Sequence, residues 1–109
     1  MNTANNKVLV EFNKQGVATV TLNTPEKHNA FDDEIIMLLT AIFTDISKRE
    51  DISIMVLASN GKSFSAGADL AWMKRMAEYS YEDNVKDANA LAQMLKVLNC
   101  LPQTTIAQV

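Results

Sequence analysis

"ISIMVLASNGKSFSAGADLAWMKRM", residues 52–76, is the passage on which the fold turns. Residues 52–59 are nearly continuous in apolar side chains and too short for a typical helix. Such a run suits a strand covered on both faces, as in a parallel sheet. It leads into Ser63-Phe64-Ser65-Ala66-Gly67-Ala68, a loop of small residues. Leu70, Met73 and Met76 (or Ala77) then follow at helical spacing. Ala66, Gly67 and Ala68 let a ligand approach the backbone closely, and Gly67 can adopt positive φ. Asp69 lies at or beside a helix start, where first-turn N–H groups lack intrahelical partners and carry partial positive charge. Such a group can hold a carbonyl oxygen that gains negative charge, which is the basis of an oxyanion hole. From spacing alone, a plain strand-to-helix turn capped by Asp69 is the simpler reading.

Upstream, Val8, Val10 and Phe12 alternate with Leu9 and Glu11, and Ala18, Val20 and Leu22 alternate with Thr19 and Thr21. The polar turn Asn13-Lys14-Gln15-Gly16 between them signals a β-hairpin. The loop "NTPEKHNAF", residues 23–31, leads to Asp32, a good N-cap. Ile35, Leu39, Ile42 and Ile46, widened by Leu38 and Phe43, then predict a helix from about residue 33 to 48. Strand, helix and the 52–59 strand together make a β-α-β crossover. Downstream, Ser80 with Asp83 begins a longer helix. Val85, Ala88, Leu91, Ala92, Leu95 and Leu98 are its expected buried stripe, and Pro102 stops it. "TTIAQV", residues 104–109, reads as another buried strand. "VTLNTP…NAFDDE" and "MVLASN…SAGADL" echo each other loosely, with Leu22 set against Leu57. The expected class is α/β.

The chain has 109 residues, 48% of them hydrophobic and 21% charged, which suits one small domain with a packed core. A net charge of −3 without a basic face argues against a nucleic-acid partner. No apolar run is long enough to cross a membrane. The polar start Met1-Asn2-Thr3-Ala4-Asn5-Asn6 has no apolar signal-peptide core. Cys100 is the single cysteine, which leaves no internal disulfide and little support for a metal. It is expected to be a buried apolar residue. A cytoplasmic or organelle-matrix location fits these features.

"SFSAGADL" resembles the acyl-CoA-binding and oxyanion loop of the enoyl-CoA hydratase/isomerase, or crotonase, superfamily. "NTPEKHNAF" is similar to that family's early Asn-x-Pro-x-x-x-Asn-Ala-aromatic loop, and "TTIAQV" to the strand before its glycine-rich second half. The resemblance covers residues 7–109 and leaves 1–6 as a flexible N-terminus. It implies the N-terminal part of a crotonase-like fold of β-β-α repeats. Ala68 matches the residue whose backbone N–H is one half of the oxyanion hole. Ala66, Asp69 and Leu70 match positions along the adenine and pantetheine of coenzyme A, and Lys27, His28 and Ala30 match the loop covering it from the other side. Coenzyme A is implied as part of the substrate, with no prosthetic group. Lys62, Lys74 and Arg75 are further candidate partners for its phosphates. "GADLAWMKRMAEYSYEDNVKDANAL" resembles hydratases of branched, carboxylated enoyl-CoAs, such as methylglutaconyl-CoA hydratases.

Family members are more than twice this length. The second oxyanion donor and the acidic residues of hydration have no counterpart here, and Glu26, Glu34, Glu50, Glu78 and Glu82 read as surface charges. The expectation is an acyl-CoA enzyme segment that is inactive alone. The alternative is a noncatalytic acyl-CoA-binding or protein-interaction module. The apolar stripe of the long helix and the terminal strand also predict self-association.

Overall fold

The computed structural model describes residues 6–109, so residues 1–5 of the expected flexible N-terminus lie outside the described residues. The elements are β1 (Val8–Phe12), β2 (Val17–Leu22), a 3-10 turn (Pro25–Lys27), α1 (Asp33–Ser47), β3 (Ile54–Ser59), α2 (Leu70–Ala77), α3 (Tyr81–Asn99) and β4 (Thr104–Ala107). One sheet has the order β1-β2-β3-β4. β1 and β2 are antiparallel, the expected hairpin, and β3 and β4 add in parallel.

Strand alternation decides what is buried. Val8, Val10, Ala18, Val20, Leu22 and Met55 sit on one face of the sheet and are nearly inaccessible. α1 supplies the opposing layer through Ile35, Ile36, Leu39, Ile42, Phe43 and Ile46. Its start is fixed by Asp32, whose carboxylate accepts from Ile35 N–H at 2.9 Å. Its end is fixed from a distance: Gln103 Nε2 donates to the carbonyls of Ile46 and Arg49 at 2.7 and 3.3 Å. The same end closes onto β1, where the Arg49 guanidinium lies 4.0 Å from the centre of the Phe12 ring.

The β2–β3 pairing has a constant offset of 37 residues, from Val17↔Ile54 to Leu22↔Ser59. The offset continues beyond the strands. Asn60 Nδ2 donates to Asn23 Oδ1 at 2.9 Å. Phe31 forms an isolated parallel bridge with Ala68, and Asp32 and Asp69 both act as N-caps. The internal echo is therefore real at this level, but Leu22 aligns with Ser59 and not with Leu57.

Four expectations need correction. β3 is covered on one face only: Met55 is buried, whereas Ile54 and Val56 on the other face are half-buried. β4 is exposed along its whole length. On α3, Met94 is the buried residue, flanked by partly buried Leu91, Val97 and Leu98, while Val85, Ala88, Ala92 and Leu95 are exposed. The helix carries two apolar stripes, and α1 covers only one of them. Cys100, just beyond α3, is exposed because the chain turns there at the edge of the helical layer.

Met94→Ala should cost about 2–5 kcal/mol, and Leu95→Ala about 0.5 kcal/mol or less. Urea unfolding at a dilution where the chain is monomeric distinguishes them. Equal losses would contradict the observed orientation of α3.

Candidate active site

Because β2 and β3 run in parallel and in register, the loops that follow them leave the same edge of the sheet side by side. The first loop makes a 3-10 turn with Pro25 leading, then places His28 and Asn29 in succession at φ 53° and 56°. This left-handed region is costly for most side chains and mildest for asparagine. Asn29 is only 2% exposed, and every polar atom of its side chain is used. Its Oδ1 accepts from Thr24 N–H at 2.9 Å. Its Nδ2 donates to the carbonyls of Asn60 and Ser63 at 2.8 and 2.9 Å. One carboxamide thus shapes its own loop and anchors the second.

The second loop is held by further backbone bonds. Ala66 N–H donates to the His28 carbonyl at 2.9 Å, Phe31 N–H to the Gly67 carbonyl at 2.6 Å, and Asp69 N–H to the Phe31 carbonyl at 2.6 Å. The last two bonds bracket Ala68. In a parallel bridge the bracketed residue turns its own N–H and C=O away from its neighbour. Gly67 N–H is taken by Ser65 Oγ at 3.2 Å. Among the described residues, no group accepts from Ala68 N–H. Gly67 has φ 86°, and a Cβ there would meet nothing within 4 Å, so glycine is required by conformation and not by crowding. Asp69 then caps α2, accepting from Trp72 N–H at 3.0 Å.

A cleft of about 490 Å³ lies between the two loops and α2. Lys27, His28, Ala30, Ala66, Ala68, Asp69 and Leu70 all line it, so the structure brings together every residue singled out by resemblance. Met73 lines it as well and was missed, although it lies one helical turn beyond Asp69 and Leu70. Of the residues at helical spacing on α2, Leu70 is 73% exposed and Met73 is 41% exposed, whereas Met76 is partly buried against the core beside the buried Trp72. Lys62 and Lys74 do not line the cleft. Arg75 pairs with Asp33 at 3.2 Å, and its pKa is raised first by the Tyr79 hydroxyl and then by Asp33. His28 Nδ1 lies 3.3 Å from Ser63 Oγ at the exposed rim. Asp69 is the single carboxylate on the cleft wall, and its Oδ1 is committed to the cap. Glu34 pairs with Lys7, away from the cleft. A larger groove of about 630 Å³ between α1 and α3, around Met37 and Ala41, has mainly apolar walls. Among the described residues, no group of three or more His, Cys, Asp or Glu could hold a metal ion, and no helix is long and apolar enough to cross a membrane.

Residues 12–109 match the family model described as enoyl-CoA hydratase/isomerase. The chain belongs to that family. It is similar to the crystal structure of an enoyl-CoA hydratase from Shewanella pealeana ATCC 700345, with 39% identity and a TM-score of 0.89 over 93% of this chain and 38% of that one. An enoyl-CoA hydratase structure from Mycobacterium smegmatis gives 32% identity and a TM-score of 0.89 over 96% of this chain and 40% of that one. Among curated proteins, the trans-2-decenoyl-[acyl-carrier-protein] isomerase of Streptococcus mutans is 38% identical over 86 residues, 77% of this chain and 31% of that protein. The fold is therefore the N-terminal part of the crotonase-like α/β fold. The chain spans 28–40% of the length of the curated hydratases it matches.

Asn29→Ala leaves the Thr24 N–H and the Asn60 carbonyl without partners, while Ser59 Oγ still donates to the Ser63 carbonyl at 3.3 Å; at about 1–3 kcal/mol for each orphaned group it should cost about 2–4 kcal/mol. Gly67→Ala should cost about 1–2 kcal/mol through its φ alone. Denaturant midpoints check both; an unchanged midpoint for Asn29→Ala would show that the loops hold together without it.

Proposed function

We propose that the cleft receives the thioester end of an acyl-CoA and that Ala68 N–H is one donor of its oxyanion hole. The observation that carries this reading is the unpartnered Ala68 N–H between two tied-down loops. Hydration of a 2-enoyl thioester and migration of its double bond both put negative charge on the thioester oxygen. A fixed donor aimed at that oxygen stabilises the charge without reorganising, and one such donor is worth about 10²–10³ in rate. The names of the relatives support the substrate class: enoyl-CoA in the hydratases and an acyl-carrier-protein thioester in the isomerase. Lys27, His28 and Ala30 would cover coenzyme A from one side. Ala66, Asp69 and Leu70 would run along its adenine and pantetheine. Coenzyme A enters as part of the substrate, and the reading needs no prosthetic group or metal. In a full-length context the reaction is addition of water to a 2-enoyl-CoA. The 67–91 segment favours a branched, carboxylated acyl group. A cytoplasmic or organelle-matrix setting suits this chemistry.

The 109-residue chain alone should bind thioester but not turn it over. Hydration needs a positioned acid and base as well as charge stabilisation. The one carboxylate on the cleft is already used as a helix cap. This favours the binding-module reading for the chain in isolation. Purified chain with crotonyl-CoA should give no hydration above buffer. Turnover near that of a full-length relative would overturn the proposed division of the site.

Self-association is the second proposal. Val85 and Leu95 on α3 are 41% and 50% exposed, and Ile106 on β4 is 48% exposed. Residues 104–109 contain no charge and no proline, so the β4 edge lacks the usual protection against pairing. Sedimentation velocity across a dilution series should reveal a concentration-dependent dimer. A monomer throughout the series would reject it.

A further inference from the structure

We propose that Ser65 is a positioning residue for the Ala68 amide; the inference rests on the thioester reading above. Ser65 does not line the cleft and acts only through the backbone. Its hydroxyl donates to the Asn29 carbonyl at 2.9 Å and accepts from Gly67 N–H at 3.2 Å. A hydroxyl has one proton, so giving it to Asn29 leaves lone pairs for Gly67, and each bond sets the polarity of the other. Asn29 is an immobile reference, since it is buried and its side chain is fully bonded to both loops.

Peptide-plane geometry carries the argument further. In a trans peptide the C=O and the following N–H point in opposite directions. Phe31 N–H holds the Gly67 carbonyl at 2.6 Å, so Ala68 N–H must point away from Phe31. This orientation lasts only while the plane does not rotate, and glycine offers the least resistance to rotation. Gly67 is also at φ 86°, a value that its neighbours must maintain. Ser65 supplies the restraint from the other side of Gly67, by tying down the preceding plane through its N–H. It also keeps Gly67 N–H occupied, so a thioester oxygen meets a single donor at this point of the wall.

The test compares butyryl-CoA with S-butyl-CoA, a thioether that lacks the carbonyl oxygen. Binding is measured by calorimetry for the wild-type chain, Ser65→Ala and Ser65→Thr, together with amide exchange at Gly67. Ser65→Ala should speed Gly67 exchange about tenfold, from loss of one hydrogen bond. It should weaken butyryl-CoA by about three- to tenfold and leave S-butyl-CoA unchanged. Ser65→Thr, which keeps the hydroxyl, should restore both measures. Equal weakening of the two ligands in Ser65→Ala would indicate a general loss of structure and overturn the proposal. So would a wild-type preference for the thioester that survives Ser65→Ala. Wild-type binding that does not distinguish the two ligands would instead reject the thioester reading itself.

Discussion

The in-register parallel pairing of β2 and β3 is the constraint from which the rest of the structure follows. Leu22 and Ser59 are register partners, so both loops leave the sheet at one point and in one direction. Crevices at the carboxyl ends of parallel strands are the usual ligand sites of α/β proteins, because loops and helix N-termini converge there. Here the convergence is tightened by hydrogen bonds linking the loops directly, from the Asn23–Asn60 contact at the base to the Phe31–Ala68 bridge at the rim. Both helices that start beyond the bridge are capped by an aspartate, so each loop ends in a firm boundary.

The cleft formed this way has mainly apolar walls and few acid–base groups. Of the loop amides from Ala66 to Asp69, those of Ala66, Gly67 and Asp69 are bonded within the two loops, and Ala68 N–H is the one without a partner among the described residues. The side chains on the wall are small or apolar, apart from Lys27, His28 and Asp69. Such a wall offers little for moving a proton. The apolar groove between α1 and α3 is larger, but the proposed thioester site rests on the Ala68 amide, which lines the smaller cleft.

The parts legible from sequence were those with local causes. The β1–β2 hairpin follows from alternation around a polar turn, and α1 from its stripe and the Asp32 cap. The cleft residues were legible by resemblance and not by spacing. What stayed hidden depended on distant partners. Ser65 and Asn29 are ordinary small polar residues in the sequence, and the bonds they make between the two loops span 31–36 residues. Gln103 looks like a surface residue until the end of α1 is packed against it. The orientation of α3 could not be read because its two apolar stripes are alike in composition. Only the position of α1 decides which is covered. Cys100 followed the same logic: its residue type suggested burial, but its place at the helix end left it outside.

The constant offset between the two loops also limits how this segment can change in length. From Leu22 to its cap at Asp32, and from Ser59 to its cap at Asp69, the chain takes the same number of steps. A residue deleted from or inserted into one loop would leave the strands paired but shift Phe31 against Ala68. The bonds on either side of Ala68 would then fall out of phase. An insertion at the exposed tip of the β1–β2 turn, at Lys14 and Gln15, would leave that phase untouched. Within this segment, sequence drift by substitution is therefore far freer than drift by length, and the two loops are bound to keep step with each other.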